Sequence, residues 1–256
     1  HLSLRRQRQM CIRDRRKKQP DHISIVANFS NQINSKLSGR KRIAVTLGSN
    51  KSPIDSIRFI SNTSTGHTGW SISEHLFRMG HEVVCIVGST TVNSKFPLPD
   101  VIVEESPEGM LESCISLAGS PEPPECWIHS AAVLDYAPQY TEGKKSSGDD
   151  EWSVSLYPTE NHIEEISKHM DGKIRIGFKL ETDYDESRLV KRAMSQISKN
   201  GMDLVVANNL SESVGEEEIR CRLVYPDGSV QGMQNLHALC ESLDLSLIHI
   251  SEPTRP

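Results

Sequence analysis

Arg58-Phe-Ile-Ser-Asn-Thr-Ser-Thr-Gly66-His-Thr-Gly69 is short, rich in hydroxyls and glycine, and flanked by two apolar segments. Upstream, Ile43-Ala-Val-Thr-Leu47 reads as a buried strand that stops at Gly48. Downstream, Trp70 to Met79 reads as a helix, with Ile72, Leu76 and Met79 at i, i+4, i+7 and Gly80 as its stop. Asn62 to Gly69 therefore lies at a helix entrance, where free backbone N–H groups favour an anion and glycines let it approach. The same residues also read as an ordinary capped helix start, so the rest of the chain has to decide.

That remainder alternates strand with helix. The loop Gly48-Ser-Asn-Lys-Ser-Pro53 is too long for a dinucleotide-binding turn, which runs straight from strand into helix. Strands follow at Glu82–Val87, at Val101–Val103 and at Trp127-Ile128, the last leading into Ser130-Ala131-Ala132. Between them, residues 107–119 form a helix with Met110, Leu111, Cys114 and Leu117 on one side. Ser153 to Tyr157 alternates like a strand, and Asn161 to Met170 reads as a helix capped by Asn161. A strand at Ile174–Thr182, a helix at 186–200 and a strand at Asp203–Asn209 come next. Ile219 to Met233 reads as a hairpin around Pro226-Asp-Gly228, and a closing helix spans about 235–245. This order predicts an α/β, Rossmann-like, doubly wound and mostly parallel sheet, with helices on both faces and a C-terminal β-hairpin.

In such a sheet the carboxyl ends of the strands share one edge, where ligands bind. Here those ends are small or polar: Gly48, Ser130-Ala131-Ala132, Lys179 to Thr182 and Asn208-Asn209. Asp135 follows the small-residue strand end and suits a metal, a ribose, a lysine or simply the start of a turn. Gln139 to Asp150 is polar and carries Lys144 and Lys145. It reads either as a solvated mobile loop or as a flap that closes on phosphate.

The 256 residues suffice for one sizeable core, and a net charge of -5 gives no basic signal for nucleic acid. No apolar run is long enough for a membrane helix, and no secretory signal is visible. Six cysteines are scattered without a C-x-x-C pair, which fits neither a zinc site nor a redox motif and suits a reducing, cytoplasmic location. Residues 1–40 read as an N-terminal tail, 41–245 as a single domain, and 246–256 as a C-terminal tail. Met10–Arg15 and Ser246–Pro256 resemble translated sequencing adaptor and are set aside as non-native.

Five stretches in order resemble phosphopantothenate–cysteine ligase of the stand-alone type: Ser52 to Gly66, Ala131 to Tyr136, Gly143 to Ser147, Gly177 to Thr182, and Asp203 to Asn208. The resemblance covers residues 41–245 and implies a ligase of coenzyme A biosynthesis. Such an enzyme joins 4′-phosphopantothenate and L-cysteine through an acyl-nucleotidylate, using Mg²⁺ and CTP or ATP. It implies Asn62, Lys144 and Lys145 as catalytic residues, with Asn62 holding the acyl-nucleotidylate and one of the lysines assisting the first half-reaction. It places Arg58, Ser64, Gly66 and Ala131 on the substrate, and Gly48, Ser130, Asp135, Phe178 and Lys179 on the nucleotide, with no protein metal ligand named. The family is dimeric, so a homodimer is expected, with no nucleic-acid or membrane partner. Two departures stand out. The usual Gly-Gly-Thr after the first strand is Gly48-Ser49-Asn50, which narrows that loop. The CTP-using bacterial members carry two lysines where Gln196 and Asn200 stand, with Lys199 out of register, which leaves ATP open.

Two alternatives differ in class. A short-chain NAD(P)-dependent oxidoreductase would use Tyr140-x-x-x-Lys144 as its acid pair, but Gly143 and Pro138 make that segment a poor helix. A non-catalytic nucleotide-binding relative is suggested by the Ser49-Asn50 departure.

Overall fold

The computed structural model describes residues 40–148, 151–182, 185–210 and 220–251. Its strands are β1 (Arg42–Leu47), β2 (Lys51–Pro53), β3 (Phe59–Ser61), β4 (Glu82–Val87), β5 (Asp100–Val103), β6 (Cys126–His129), β7 (Tyr136–Pro138), β8 (Leu156–Pro158), β9 (Ile174–Glu181), β10 (Leu204–Asn209), β11 (Cys221–Val224) and β12 (Val230–Met233). The helices are α1 (His67–Met79), α2 (Pro107–Ala118), α3 (His162–Ser167), α4 (Glu186–Asn200) and α5 (Leu236–Ser251).

Eight strands form one sheet in the order β12-β11-β10-β9-β6-β1-β4-β5. The six from β10 to β5 are parallel, and β11–β12 is an antiparallel hairpin at one edge. This is the doubly wound, Rossmann-like arrangement. The chain leaves β1 toward β4 on one side and returns to β6 on the other, which opens a crevice beyond the ends of β1 and β6.

β1 sits at the centre because its apolar run has no polar face. Ile43, Ala44, Val45 and Leu47 are all fully buried. Alternation sends Ile43, Val45 and Leu47 to a layer with Trp70, Ile72 and Leu76 of α1 and Leu239 and Leu243 of α5. Ala44 faces the opposite layer, with Trp127, Ile86 and Met110. α4 buries Leu189, Ala193 and Ile197 against Val205 and Ala207 of β10.

Several boundaries differ from the sequence reading. α1 begins at His67, three residues early, because Gly66 turns into it with a left-handed φ of 78°. The Asn161-capped helix ends at Ser167, although Met170 still packs inward. The strand expected at 153–157 is confined to Leu156–Pro158, where it pairs with β7. The closing helix passes 245 and runs to Ser251, with Leu247 fully buried. The Pro226-Asp-Gly228 hairpin is present over 221–233, while Ile219 lies outside the described residues. Strands β2, β3 and β7 are not among those expected from sequence, since three-residue strands carry no periodicity. Among the described residues no helix is long and apolar enough to cross a membrane.

Candidate active site

Two adjoining cavities open at the carboxyl ends of the parallel strands. The larger, about 640 Å³, is walled by Asn62 to Gly69, the Gly48 end of β1, Ser130 to Val133 after β6, and Phe178 to Leu180 of β9. The smaller, about 340 Å³, lies on the other side of the β6 and β9 ends and adds Asp135, the start of α3 and one face of α4. Ala131, Val133, Phe178 and Lys179 line both, so these residues form the wall between them.

The hydrogen bonds show why the chain folds this way locally. The Ser130 N–H and hydroxyl both donate to the Thr46 carbonyl, at 3.0 and 2.8 Å, which extends the β1–β6 pairing past the last strand residue. Asn62 Nδ2 donates to the Ala132 and Val133 carbonyls, at 3.2 and 2.9 Å, tying the end of β3 to the same loop. Both neighbours are acceptors, so the amide nitrogen must face them and Oδ1 remains for the cavity. Gly69 has a packing reason: a Cβ there would lie 2.3 Å from Leu47 Cβ and 2.8 Å from Ser130 Oγ. Its bare backbone brings α1 against β1 at the wall of the larger cavity.

Of the expected site residues, Gly48, Asn62, Ser64, Gly66, Ser130, Ala131, Phe178 and Lys179 line the larger cavity, and Asp135 lines the smaller. Arg58, Lys144 and Lys145 line neither. They belong to a unit built from the β2–β3 hairpin and the loop after β7. The Asp55 carboxylate accepts from the N–H groups of Ile57 at 2.9 Å, Arg58 at 2.8 Å and Lys145 at 3.3 Å, and pairs with Arg58 Nε at 3.2 Å. These bonds, the Ile57 one foremost, hold it below the usual carboxylate range. Arg58 Nη2 donates to the Lys145 carbonyl at 2.7 Å, and its guanidinium lies 4.5 Å from the Trp152 ring centre. The expected mobile loop is thus docked on a hairpin, with both lysines exposed.

Ser49 and Asn50 were expected to narrow the ligand loop. Instead both are buried and line neither cavity. Ser49 exchanges backbone hydrogen bonds with Ser89, and Asn50 Nδ2 donates to the Ser106 carbonyl at 3.2 Å. The departure is absorbed by the neighbouring strand ends.

The sequence model of the DNA/pantothenate metabolism flavoprotein C-terminal domain matches residues 37–239. The chain belongs to that family. It is 33% identical over 204 residues to the coenzyme A biosynthesis bifunctional protein CoaBC of Thermococcus kodakarensis, covering 79% of this chain and 49% of that protein. A cysteine/cysteine sulfinic acid decarboxylase from an unspecified prokaryote is 31% identical over 201 residues, covering 76% and 54%. The chain therefore spans about half the length of the curated relatives it matches. Among solved structures, the DNA/pantothenate metabolism flavoprotein of Streptococcus pneumoniae superposes with a TM-score of 0.72 at 28% identity, over 83% of this chain and 100% of that one. A Cab2 mutant in complex with phosphopantothenate-cysteine shares the fold, with a TM-score of 0.64 at 16% identity over 92% and 97%.

Within this family fold, the smaller cavity holds His129 and His162, which were not singled out from sequence, beside Gln196, Lys199 and Asn200, which were. Lys199 lies in the cavity although it is out of register in the chain. The cations at its rim are paired: Lys179 with Glu181 at 3.2 Å and Lys199 with Glu164 at 3.4 Å. His129 was legible only as a polar residue at the end of an apolar strand, alternating with Ile128. Burial pushes its ring down to about 4, helped by Arg175 and His162. Burial also holds His162 low, against the pull of Glu108 and a bond to the Pro107 carbonyl.

A folded ring that binds its proton less tightly than the unfolded one makes acid favour unfolding. Stability is expected to fall as pH drops from about 6.5 toward about 4, with His129 a principal contributor. Urea titrations across that window should show a flatter slope for His129→Leu. An unchanged slope would remove His129 from the account.

Proposed function

We propose that this chain is a phosphopantothenate–cysteine ligase of coenzyme A biosynthesis, working through an acyl-nucleotidylate. The observation that carries the reading is the meeting, in a member of this family, of Asn62, Ser130-Ala131 and Lys179 around one cavity that shares its wall with a second. A two-step ligation needs two such adjoining spaces. The phosphopantothenate carboxylate oxygen attacks the α-phosphorus of the nucleoside triphosphate, and pyrophosphate leaves. The cysteine amine nitrogen then attacks the acyl carbon, and the nucleoside monophosphate leaves.

In this reading the smaller cavity takes the nucleotide, with Asp135, Phe178 and Lys179 around it, while Gly48 and Ser130, also expected on the nucleotide, line the larger. The larger takes phosphopantothenate, between Asn62, Ser64 and Gly66 on one side and Ala131 on the other. Holding both reactants at one wall converts a bimolecular step into an intramolecular one, and Lys179 offsets the anionic repulsion. Among the described residues no three His, Cys, Asp or Glu groups gather as a metal cage. That suits Mg²⁺ carried on the triphosphate with at most one or two carboxylates, for which Asp135 and Glu160 line the cavity. When bound, Mg²⁺ supplies charge neutralisation on the phosphates. CTP and ATP both remain candidates.

The oxidoreductase reading is not favoured. Tyr140 and Lys144 lie in a loop, Gly143 has a φ of 84°, and the Tyr140 hydroxyl bonds Ser56 Oγ at 3.1 Å. The test of the ligase reading is pyrophosphate release by the full chain with 4′-phosphopantothenate, Mg²⁺ and CTP or ATP, with and without cysteine. Release that requires phosphopantothenate, and turns over only with cysteine, is the expected result. A folded chain that releases none with either nucleotide overturns it.

We also propose a homodimer. Ile57 and Phe59 on the first small hairpin, and Tyr136, Leu156 and Tyr157 on the second, are all about half exposed or more. Exposed apolar side chains gathered on adjacent hairpins mark an interaction surface. Light scattering should give twice the chain mass, and the double variant Phe59→Asp/Tyr157→Asp should give the monomer. A wild-type monomer at micromolar concentration would count against this surface.

A further inference from the structure

Of the residues that line both cavities, Ala131, Val133, Phe178 and Lys179, the last alone carries charge. Its ammonium is a point charge on a flexible stem, so it marks a fixed place only if something tethers it. The tether is on the same strand. Alternation puts Gly177, Lys179 and Glu181 of β9 on one face. That face meets α4, since a Cβ at Gly177 would lie 2.7 Å from Gln196 Nε2. One helical turn before Gln196, Arg192 Nε stands 4.0 Å from Glu181 Oε1. Lys179 Nζ stands 3.2 Å from that same oxygen. Glu181 is the inner member of the group, with 15% of its side chain exposed against 37% for Lys179 and 58% for Arg192. It lines neither cavity, while both cations line the smaller. The carboxylate stands behind the wall and the two cations in front of it.

We propose that Glu181 is a positioning residue for the first half-reaction: it holds Lys179, with Arg192 as the second cation on the same carboxylate, at the wall where the two anionic reactants meet. This rests on the ligase reading, which brings phosphopantothenate and the triphosphate to that wall. In that step a carboxylate oxygen bonds to the α-phosphorus, the bond from this phosphorus to the bridging oxygen breaks, and the electron pair leaves on pyrophosphate. Lys179 exchanges no proton; its part is to face the charge as it moves. A cation fixed in advance stabilises that charge without reorganising, whereas an untethered one must first be ordered. Glu181 supplies the fixing, but its negative charge also competes with the phosphates for both cations. The two effects have opposite signs. Losing the carboxylate should slow the chemistry and leave anion binding as tight or tighter. A carboxylate that only stitches β9 to α4 leaves no such signature. The ion pairs are also open enough to water to add little to folding, so the variants should fold.

The test is a double-mutant cycle on the full chain with Glu181→Gln, Lys179→Gln and the two combined. One readout is the pyrophosphate burst with phosphopantothenate, Mg²⁺ and ATP or CTP, without cysteine. The other is calorimetric titration with pyrophosphate and Mg²⁺. Glu181→Gln is expected to slow the burst by about tenfold to a hundredfold, the effect of a misplaced group, and to bind pyrophosphate no more weakly than the wild type. Lys179→Gln should weaken both. On top of it Glu181→Gln should add nothing, because a residue that acts through another has no effect once that other is gone. Glu181→Asp keeps the charge and should recover part of the rate. Circular dichroism shows whether each variant folds, and Glu181→Ala takes the place of Glu181→Gln if the latter does not. An unchanged burst in Glu181→Gln, or an equal slowing with and without Lys179, overturns the inference and leaves the ligase reading standing. A folded wild type that releases no pyrophosphate overturns the ligase reading. The positioning role then stands or falls on the titration, where Glu181→Gln must tighten pyrophosphate binding when Lys179 is present and not when it is glutamine.

Discussion

Asn62→Ala is expected to lower formation of the cysteine adduct by about 10²-fold or more, the effect of losing one preorganised polar group at a reacting centre. The first half-reaction should survive. Asn62 stands at the end of β3, and its amide nitrogen is committed to the Ala132 and Val133 carbonyls. Its oxygen is the remaining polar atom of a residue that lines the larger cavity, an acceptor suited to the cysteine amine. Alanine removes that oxygen and unties the hairpin from the strand-end loop. Asn62 is exposed, so water takes over the two carbonyls and the stability loss stays near 1 kcal/mol. The distinguishing readout is a pyrophosphate burst without cysteine. One equivalent per site should appear at close to the wild-type rate, while addition of cysteine barely raises turnover. A variant that forms adduct at the wild-type rate would remove Asn62 from the chemistry.

The fold was readable because its strands announce themselves by composition. Ile43 to Leu47 and Glu82 to Val87 are runs that only the middle of a parallel sheet can bury, and both lie there. The strand-end residues were readable for the same reason: the edge rule gathers them whatever the details of packing. What stayed hidden depends on contacts between distant segments. Nothing in Ser52 to Arg58 shows that Asp55 will accept a bond from Lys145, ninety residues on. Likewise His129 and Gln196, far apart in the chain, come to line one cavity. Gly69 has a packing role that sequence did not show, since a side chain there would meet Leu47 and Ser130.

Lys144→Ala/Lys145→Ala is expected to act on the other half-reaction. Both lysines ride a loop docked on the β2–β3 hairpin by Asp55, by the Ser56 N–H donating to the Gly143 carbonyl at 3.0 Å, and by Thr141 N–H donating to the Ile54 carbonyl at 2.9 Å. In that position neither reaches the walls of its own chain's cavities, so the lysines should add little to resting nucleotide affinity. Cations that meet phosphate only as charge builds up act on the rate. The pyrophosphate burst should slow by about 10²-fold while the nucleotide Kd changes by less than about threefold. Single variants then show which lysine carries the effect. An unchanged burst sinks the flap assignment. The placement also raises the question of whose cavity the loop serves. In a homodimer, co-expressing this double variant with Asn62→Ala gives mixed dimers that pair an intact cavity with an intact loop. If the loop acts across the subunit boundary, such mixtures should regain about a quarter of wild-type activity, since half the dimers are mixed and each has one working site. If the loop closes on its own chain, no site in the mixture is complete, and activity stays at the level of the separate variants.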